Sequence, residues 1–62
     1  MTYEIRYAVQ GFQDRLNGLL DFLENVEEVL EGANPLDKSM ALSEMDGAAD
    51  RLSLRLDKIR SE

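Results

Sequence analysis

The sequence predicts an all-α protein, an antiparallel helical hairpin that dimerises into a four-helix bundle. Apolar residues recur at alternating spacings of three and four along most of the chain, which is the heptad pattern of a coiled coil. An Asn-Pro pair interrupts this pattern near the middle. With 62 residues and neither Cys nor His, the chain forms a single small domain that has no disulfide and no usual zinc ligand to stabilise it.

The first helix is predicted from about Tyr3 to Glu31. When Val9 is taken as heptad position a, every a and d position in this segment is apolar. These positions are Ile5, Val9, Phe12, Leu16, Leu19, Leu23, Val26 and Leu30. Apolar residues at the flanking g and e positions, namely Ala8, Phe22, Val29 and Leu20, widen the stripe. A face of this width is expected to touch at least two other helices.

A turn is predicted at residues 32–34. Gly32 is expected at the C′ position of the first helix, Asn34 as an N-cap and Pro35 as the first residue of the second helix. The second helix is predicted from residue 35 to about residue 60. Its apolar seam is Leu42, Met45, Ala49, Leu52, Leu56 and Ile59. Helices of similar length joined by a tight turn should fold back antiparallel.

The start of the second helix has alternatives, because the charged Lys38 occupies a d position. Ser39, or Ser43 followed by Asp46, could cap a helix that begins later. In that case residues 36–41 would form a separate helical turn.

The predicted apolar faces are wider than one hairpin can cover, since Leu20, Phe22 and Val29 would face water in a monomer. Hiding a few such side chains stabilises a fold by several kcal/mol at about 25 cal/mol per Å² of apolar surface. We therefore expect the seam and flank residues of both helices to form an oligomer interface, with a homodimer as the simplest closed assembly. The alternative is a hairpin that completes another protein's bundle.

The charges are unevenly distributed. Five carboxylates without a basic residue form an acidic cluster in residues 21–31, namely Asp21, Glu24, Glu27, Glu28 and Glu31. This cluster opposes the helix dipole, whose negative end lies there. The basic residues of the second helix are concentrated near its end, at Arg51, Arg55, Lys58 and Arg60. A dimer with its turns at opposite ends would place each basic tail beside the partner's acidic end, although solvated surface pairs contribute only about 0–1 kcal/mol each.

The residue types argue against catalysis and metal binding. The hydroxyl groups of Thr2, Ser39, Ser43, Ser53 and Ser61 have no imidazole base to activate them. Lys38 beside Ser39 would need a desolvated cleft, which two helices can hardly build. The pairs Glu27–Glu28 and Asp46–Asp50 lack the loop of alternating oxygen donors typical of a calcium site. We expect a non-enzyme with no cofactor, no metal and no small-molecule substrate.

Several residues on the outer faces are candidates for binding a partner protein. Glycines inside helices cost roughly 1 kcal/mol relative to Ala, so they indicate either close approach of a partner or neutral variation. An apolar line on the second helix could dock a partner, and two tyrosines near the N-terminus suit an interface. These candidates are Tyr3, Tyr7, Gly11, Gly18, Met40, Gly47 and Leu54.

Two functions are consistent with these features. The first is a homodimeric interaction module, a regulator, adaptor or inhibitor that binds another protein. The second is an acidic mimic of nucleic acid, of phage or plasmid type, that blocks a DNA- or RNA-binding machine. Neither a signal peptide nor a run of roughly 18 apolar residues is present. We therefore expect a soluble, cytoplasmic protein with no membrane partner, and the lack of Cys fits a reducing compartment.

The predicted plan resembles the Rop family of plasmid copy-number regulators, which are hairpins of similar length that turn near the middle and dimerise into a four-helix bundle. The resemblance lies in length and heptad spacing, and it implies RNA binding through the first helix. Residues 1–33, however, carry two basic and seven acidic residues. Because the total charge of −6 also repels phosphate, we expect no direct nucleic-acid partner.

Overall fold

The computed structural model describes residues 1–62 and is all-α, with no strand. Helix α1 spans Tyr3–Glu31 and helix α2 spans Pro35–Ser61. The chain divides into two compact units, Met1–Gly32 and Ala33–Glu62, each built around one helix. The predicted fold class and the predicted order of two long helices with a connection at residues 32–34 are therefore confirmed, and this order fits a helical hairpin. In neither helix is an apolar stretch long enough to cross a lipid bilayer.

Thr2 caps the start of α1, although the sequence analysis did not single it out. Its backbone is extended, and its hydroxyl oxygen accepts a hydrogen bond from the Ile5 N–H at 3.3 Å. The Thr2 carbonyl accepts the Arg6 N–H at 3.0 Å. Because the first N–H groups of a helix have no partner within it, this cap fixes where α1 begins.

Gly32 ends α1 in a different way from the one predicted. It is the C-cap residue itself, with φ −87° and ψ −2°, and no residue of the chain has a positive φ. Its N–H donates to the Val29 carbonyl at 3.3 Å, which tightens the last turn. A Cβ at this position would meet only the Val29 carbonyl oxygen, at 3.8 Å. The expectation of a C′ glycine was wrong, because the helix ends without a left-handed residue.

Asn34 caps α2, so the later starts at Ser39 and Ser43 are excluded. The Asn34 side-chain oxygen accepts the Asp37 N–H at 2.8 Å, and its side-chain nitrogen donates to the Asp37 carboxylate at 3.1 Å. Pro35 is the first helical residue, where its missing N–H costs no hydrogen bond. Residues 36–41 therefore belong to one continuous helix.

Neither helix buries any residue. The large side chains that are partly shielded from solvent all lie at a or d positions, where neighbours one turn away cover one another. They are Leu16, Leu23, Val26, Leu30, Met45 and Leu56. All other large apolar side chains are exposed. The apolar seams are thus present as continuous surfaces and not as a core.

The Asn34 cap leads to a first prediction. Replacing Asn34 by Ala removes the acceptor for the Asp37 N–H and should lower the free energy of unfolding by about 1 kcal/mol. Circular dichroism during urea unfolding, at one fixed protein concentration, measures this. Ser39→Ala is the matched control, because Ser39 lies inside the helix and should lose nothing. A larger loss for Ser39→Ala than for Asn34→Ala would show that α2 begins later.

Candidate interaction surfaces

The seam of α1 is a continuous apolar face from one end of the helix to the other. Its a and d residues are spaced alternately by three and four, so they follow one side of the helix with little drift. Ile5, Val9, Phe12 and Leu19 on this seam are exposed, while the four residues named above are partly shielded. The structure therefore places all predicted seam residues of α1 on one face, and all of them are accessible to another helix.

The g flank extends this face in the C-terminal half of α1. A shallow apolar hollow lies there, and it is lined by Phe22, Asn25, Val26, Val29 and Leu30. The Phe22 side chain is 57% exposed and that of Val29 is 73% exposed. Both are large apolar groups that stay more than half exposed beside this hollow.

The seam of α2 is narrower and less regular. Met45 and Leu56 are partly shielded, whereas Leu42, Leu52 and Ile59 are exposed. Ala49 contributes only a methyl group to this line, and the exposed Lys38 interrupts it. The seam residues do share one face, as predicted, but α2 offers less apolar surface there than α1.

A second apolar line follows the outer side of α2. Met40, Gly47 and Leu54 are spaced by seven residues, and Leu36 lies near the start of the line. The Leu54 side chain is 66% exposed, although it faces away from the seam. Because single exposed leucines are common, the feature that distinguishes this line is its alignment.

Two tyrosines form an exposed aromatic patch at the start of α1. The rings of Tyr3 and Tyr7 lie 6.3 Å apart between centroids, with planes inclined by 25°. Stacking of this kind restricts both rings at little further entropic cost on binding. The sequence placed both residues on the outer side, and the structure brings them together.

The acidic cluster is exposed and has no ion partner within the chain. Arg60 and Asp57 make the only ion pair, at 2.5 Å within the last turns of α2. The five carboxylates of residues 21–31 are all exposed, as are Arg51, Arg55 and Lys58. No cation of the chain therefore neutralises the cluster, and Arg60 is less available than the other cations of the basic tail.

The three glycines inside the helices differ in their surroundings. The Arg15 guanidinium donates to the Gly11 carbonyl at 3.1 Å, and a Cβ at Gly11 would lie 3.0 Å from the same group. A Cβ at Gly47 would make an ordinary contact with Arg51 at 3.8 Å. At Gly18 nothing lies within 4 Å. No contact within the chain therefore requires glycine at position 18.

The polar groups considered for catalysis lie on open surface. Lys38, Ser39, Ser43 and Asp46 line a shallow hollow on α2 together with Leu42, and all four are exposed. The Ser61 hydroxyl donates to the Lys58 carbonyl at 3.0 Å, at the C-terminal end of α2. No three acidic side chains are arranged to hold a metal ion. These groups are arranged as solvated surface residues.

Comparison with known proteins gives no match: no protein-family model, no curated protein and no solved structure is significantly similar to this chain.

Gly18 provides a second prediction. Gly18→Ala should raise the free energy of unfolding by up to about 1 kcal/mol, because the helix gains propensity and the new Cβ meets no atom of the chain. Gly11→Ala is the matched comparison and should gain less, since the Arg15 guanidinium must move away. Urea unfolding followed by circular dichroism measures both. If Gly18→Ala instead lowers stability, a partner backbone must approach position 18.

Proposed function

We propose that this protein is a small, non-enzymatic interaction module that assembles with itself and binds another protein as a regulator, adaptor or inhibitor. The observation that carries this proposal is that two helices with long apolar seams bury no residue at all. Such seams are stable in water only when another helix covers them.

Self-assembly begins with the hairpin. Packing α2 antiparallel on α1 covers one side of each seam, and a second hairpin covers the other side in a four-helix bundle. Each large apolar side chain that passes from water into such a core contributes roughly 1.5–3 kcal/mol. Because the α1 seam alone has eight such positions, their burial outweighs the loss of freedom on association for a domain of this size.

The outer surfaces are proposed to bind the partner protein. In the proposed bundle the seams are buried between helices. The apolar surfaces that stay exposed are then the line of Leu36, Met40 and Leu54 and the stacked pair Tyr3 and Tyr7. Aromatic and large apolar side chains supply most of the binding energy in protein interfaces. These residues are exposed and rigidly placed on helices, as a binding site requires.

A second candidate function rests on the acidic cluster. Five exposed carboxylates within eleven residues have no cation of their own chain beside them. A partner with a basic groove for nucleic acid would be attracted to this field, and the protein would then act as an acidic mimic that blocks the groove. The same field disfavours direct binding of DNA or RNA.

Self-assembly predicts the mass in solution. Sedimentation equilibrium at micromolar concentrations should give a mass of about 14 kDa, twice the 7.0 kDa of one chain. Leu23→Asn places a polar side chain in the seam and should shift the protein to a monomer with much less helix. Leu54→Asn is the matched control on the outer line and should keep both dimer and helix. A wild-type chain that stays a folded monomer when diluted would rule out the proposed assembly.

Two variants separate the two modes of partner binding. Met40→Ser/Leu54→Ser removes the outer apolar line, and Glu24→Gln/Glu28→Gln removes two carboxylates that lie outside the seam. An interaction module should lose its co-purified partner with the first variant and keep it in high salt. A nucleic-acid mimic should lose the partner with the second variant, and its affinity should fall steeply as salt rises. Sedimentation of both variants checks that the dimer is intact.

A further inference from the structure

The e flank of α1 carries opposite charges at its two ends, and the apolar seam does not account for this. Its four residues are Arg6, Gln13, Leu20 and Glu27, one in each heptad. All four are exposed, and neither Arg6 nor Glu27 takes part in an ion pair within the chain. A cation therefore lies at one end of this flank, a carboxylate at the other, and one polar and one apolar side chain lie between them.

The shape of this flank also differs between its two halves. A shallow hollow occupies its N-terminal half, and its lining combines the apolar side chains of Val9 and Leu16 with mostly polar ones, among them Arg6, Gln13 and Asp14. The C-terminal half instead carries Leu20, whose side chain is 53% exposed. One half thus offers a recess with a cation at its edge, and the other offers a protruding apolar side chain followed by a carboxylate.

We propose that this flank is an interface between copies of the chain, in which α1 packs antiparallel against α1 of a second copy. Reversing the order of the four e positions places Arg6 opposite Glu27 of the partner subunit, and Gln13 opposite Leu20 of the partner subunit. Leu20 then enters the hollow beside Leu16 in both copies, because a two-fold interface uses the same surface twice. The inference rests on the proposed self-assembly and adds which helices meet and in which direction.

The alternative pairing is with α2. The e positions of α2 are Ser39, Asp46, Ser53 and Arg60. An antiparallel match of the two e flanks puts Arg6 opposite Arg60 and Leu20 opposite Asp46. The second pair is unfavourable because it covers a carboxylate with an apolar group, and the first gives Arg6 no carboxylate to face, since Arg60 already pairs with Asp57. A dimer with both turns at the same end requires this match.

Pairing α1 with α1 fixes the turns at opposite ends of the bundle. The acidic cluster of one copy then lies at the same end as Arg51, Arg55 and Lys58 of the partner subunit. This arrangement balances the charge at each end, whereas turns at the same end would bring two acidic clusters together.

Charge reversal tests the proposed pairing. Arg6→Glu and Glu27→Arg should each weaken the dimer about tenfold or more, because each variant creates two repulsive pairs per dimer. Combining the two changes should restore the dissociation constant to within about threefold of wild type. Glu44→Arg is the matched control, since it makes the same change of charge at an exposed c position of α2, outside the acidic cluster. It should leave the dissociation constant within about threefold. Sedimentation equilibrium measures all four variants, and failure of the double variant to recover would overturn the Arg6–Glu27 pairing.

The direction of the two copies is tested with a spin label at the turn, since the chain has no other Cys. In Ala33→Cys, pulsed electron paramagnetic resonance should give a distance of about 50 Å between labels, because the register that pairs Arg6 with Glu27 separates the two labels by 33 helical rises of 1.5 Å. A distance within about 20 Å, or two interhelical spacings, would place the turns at the same end and refute the inference. The dimer of the proposed function would stand in that case. The absence of any dimer would overturn both.

Discussion

The structure depends on one constraint: each helix carries a long apolar seam and has nothing within itself to cover it. A helix hides its backbone polar groups without help, but its side chains leave water only by packing on another element. In this chain the caps at Thr2 and Asn34 fix where each helix begins. The three residues that connect the helices, residues 32–34, are too few to form a third layer. Any stable packing must therefore come from helix against helix, and the polar flanks decide which helices meet.

The distribution of charge destabilises α1 in the single chain and would favour the proposed assembly. The carboxylates of residues 21–31 lie where the helix dipole is already negative, and no basic residue lies in the last turn of α1. In α2 the arrangement is the favourable one, with Lys58 and Arg60 in the last turn. The C-terminal half of α1 is thus the less favourable part electrostatically, and it also has the widest apolar face. The proposed second copy would stabilise α1 in both respects, by covering the face and by bringing cations to the same end.

The sequence was sufficient for the two helices and their seams, because heptad spacing and the Asn34-Pro35 pair are local signals with a direct physical cause. It was not sufficient for the end of α1, since Gly32 suggested a left-handed cap and the chain uses a right-handed one. It also left the start of α2 open, since Ser39 and Ser43 are plausible caps until the two hydrogen bonds between Asn34 and Asp37 are seen. Among the candidate surfaces, the faces followed from periodicity, but the hollow beside Gln13, the tyrosine stack and the Arg60–Asp57 pair depend on side-chain rotamers. Spacing alone does not determine these.

In the proposed dimer, one set of residues joins the two copies and a different set is left to bind a partner. Its contacts use the a, d, e and g positions, so the b, c and f positions of both helices stay free, and these include Tyr3, Tyr7, Met40 and Leu54. Because a two-fold axis repeats every free surface, each partner-binding patch occurs twice, once toward each end of the bundle. Two equivalent sites in one assembly bind a repetitive or dimeric partner more tightly than one site does. Losing the dimer would therefore weaken partner binding even if every residue of the outer patch were unchanged.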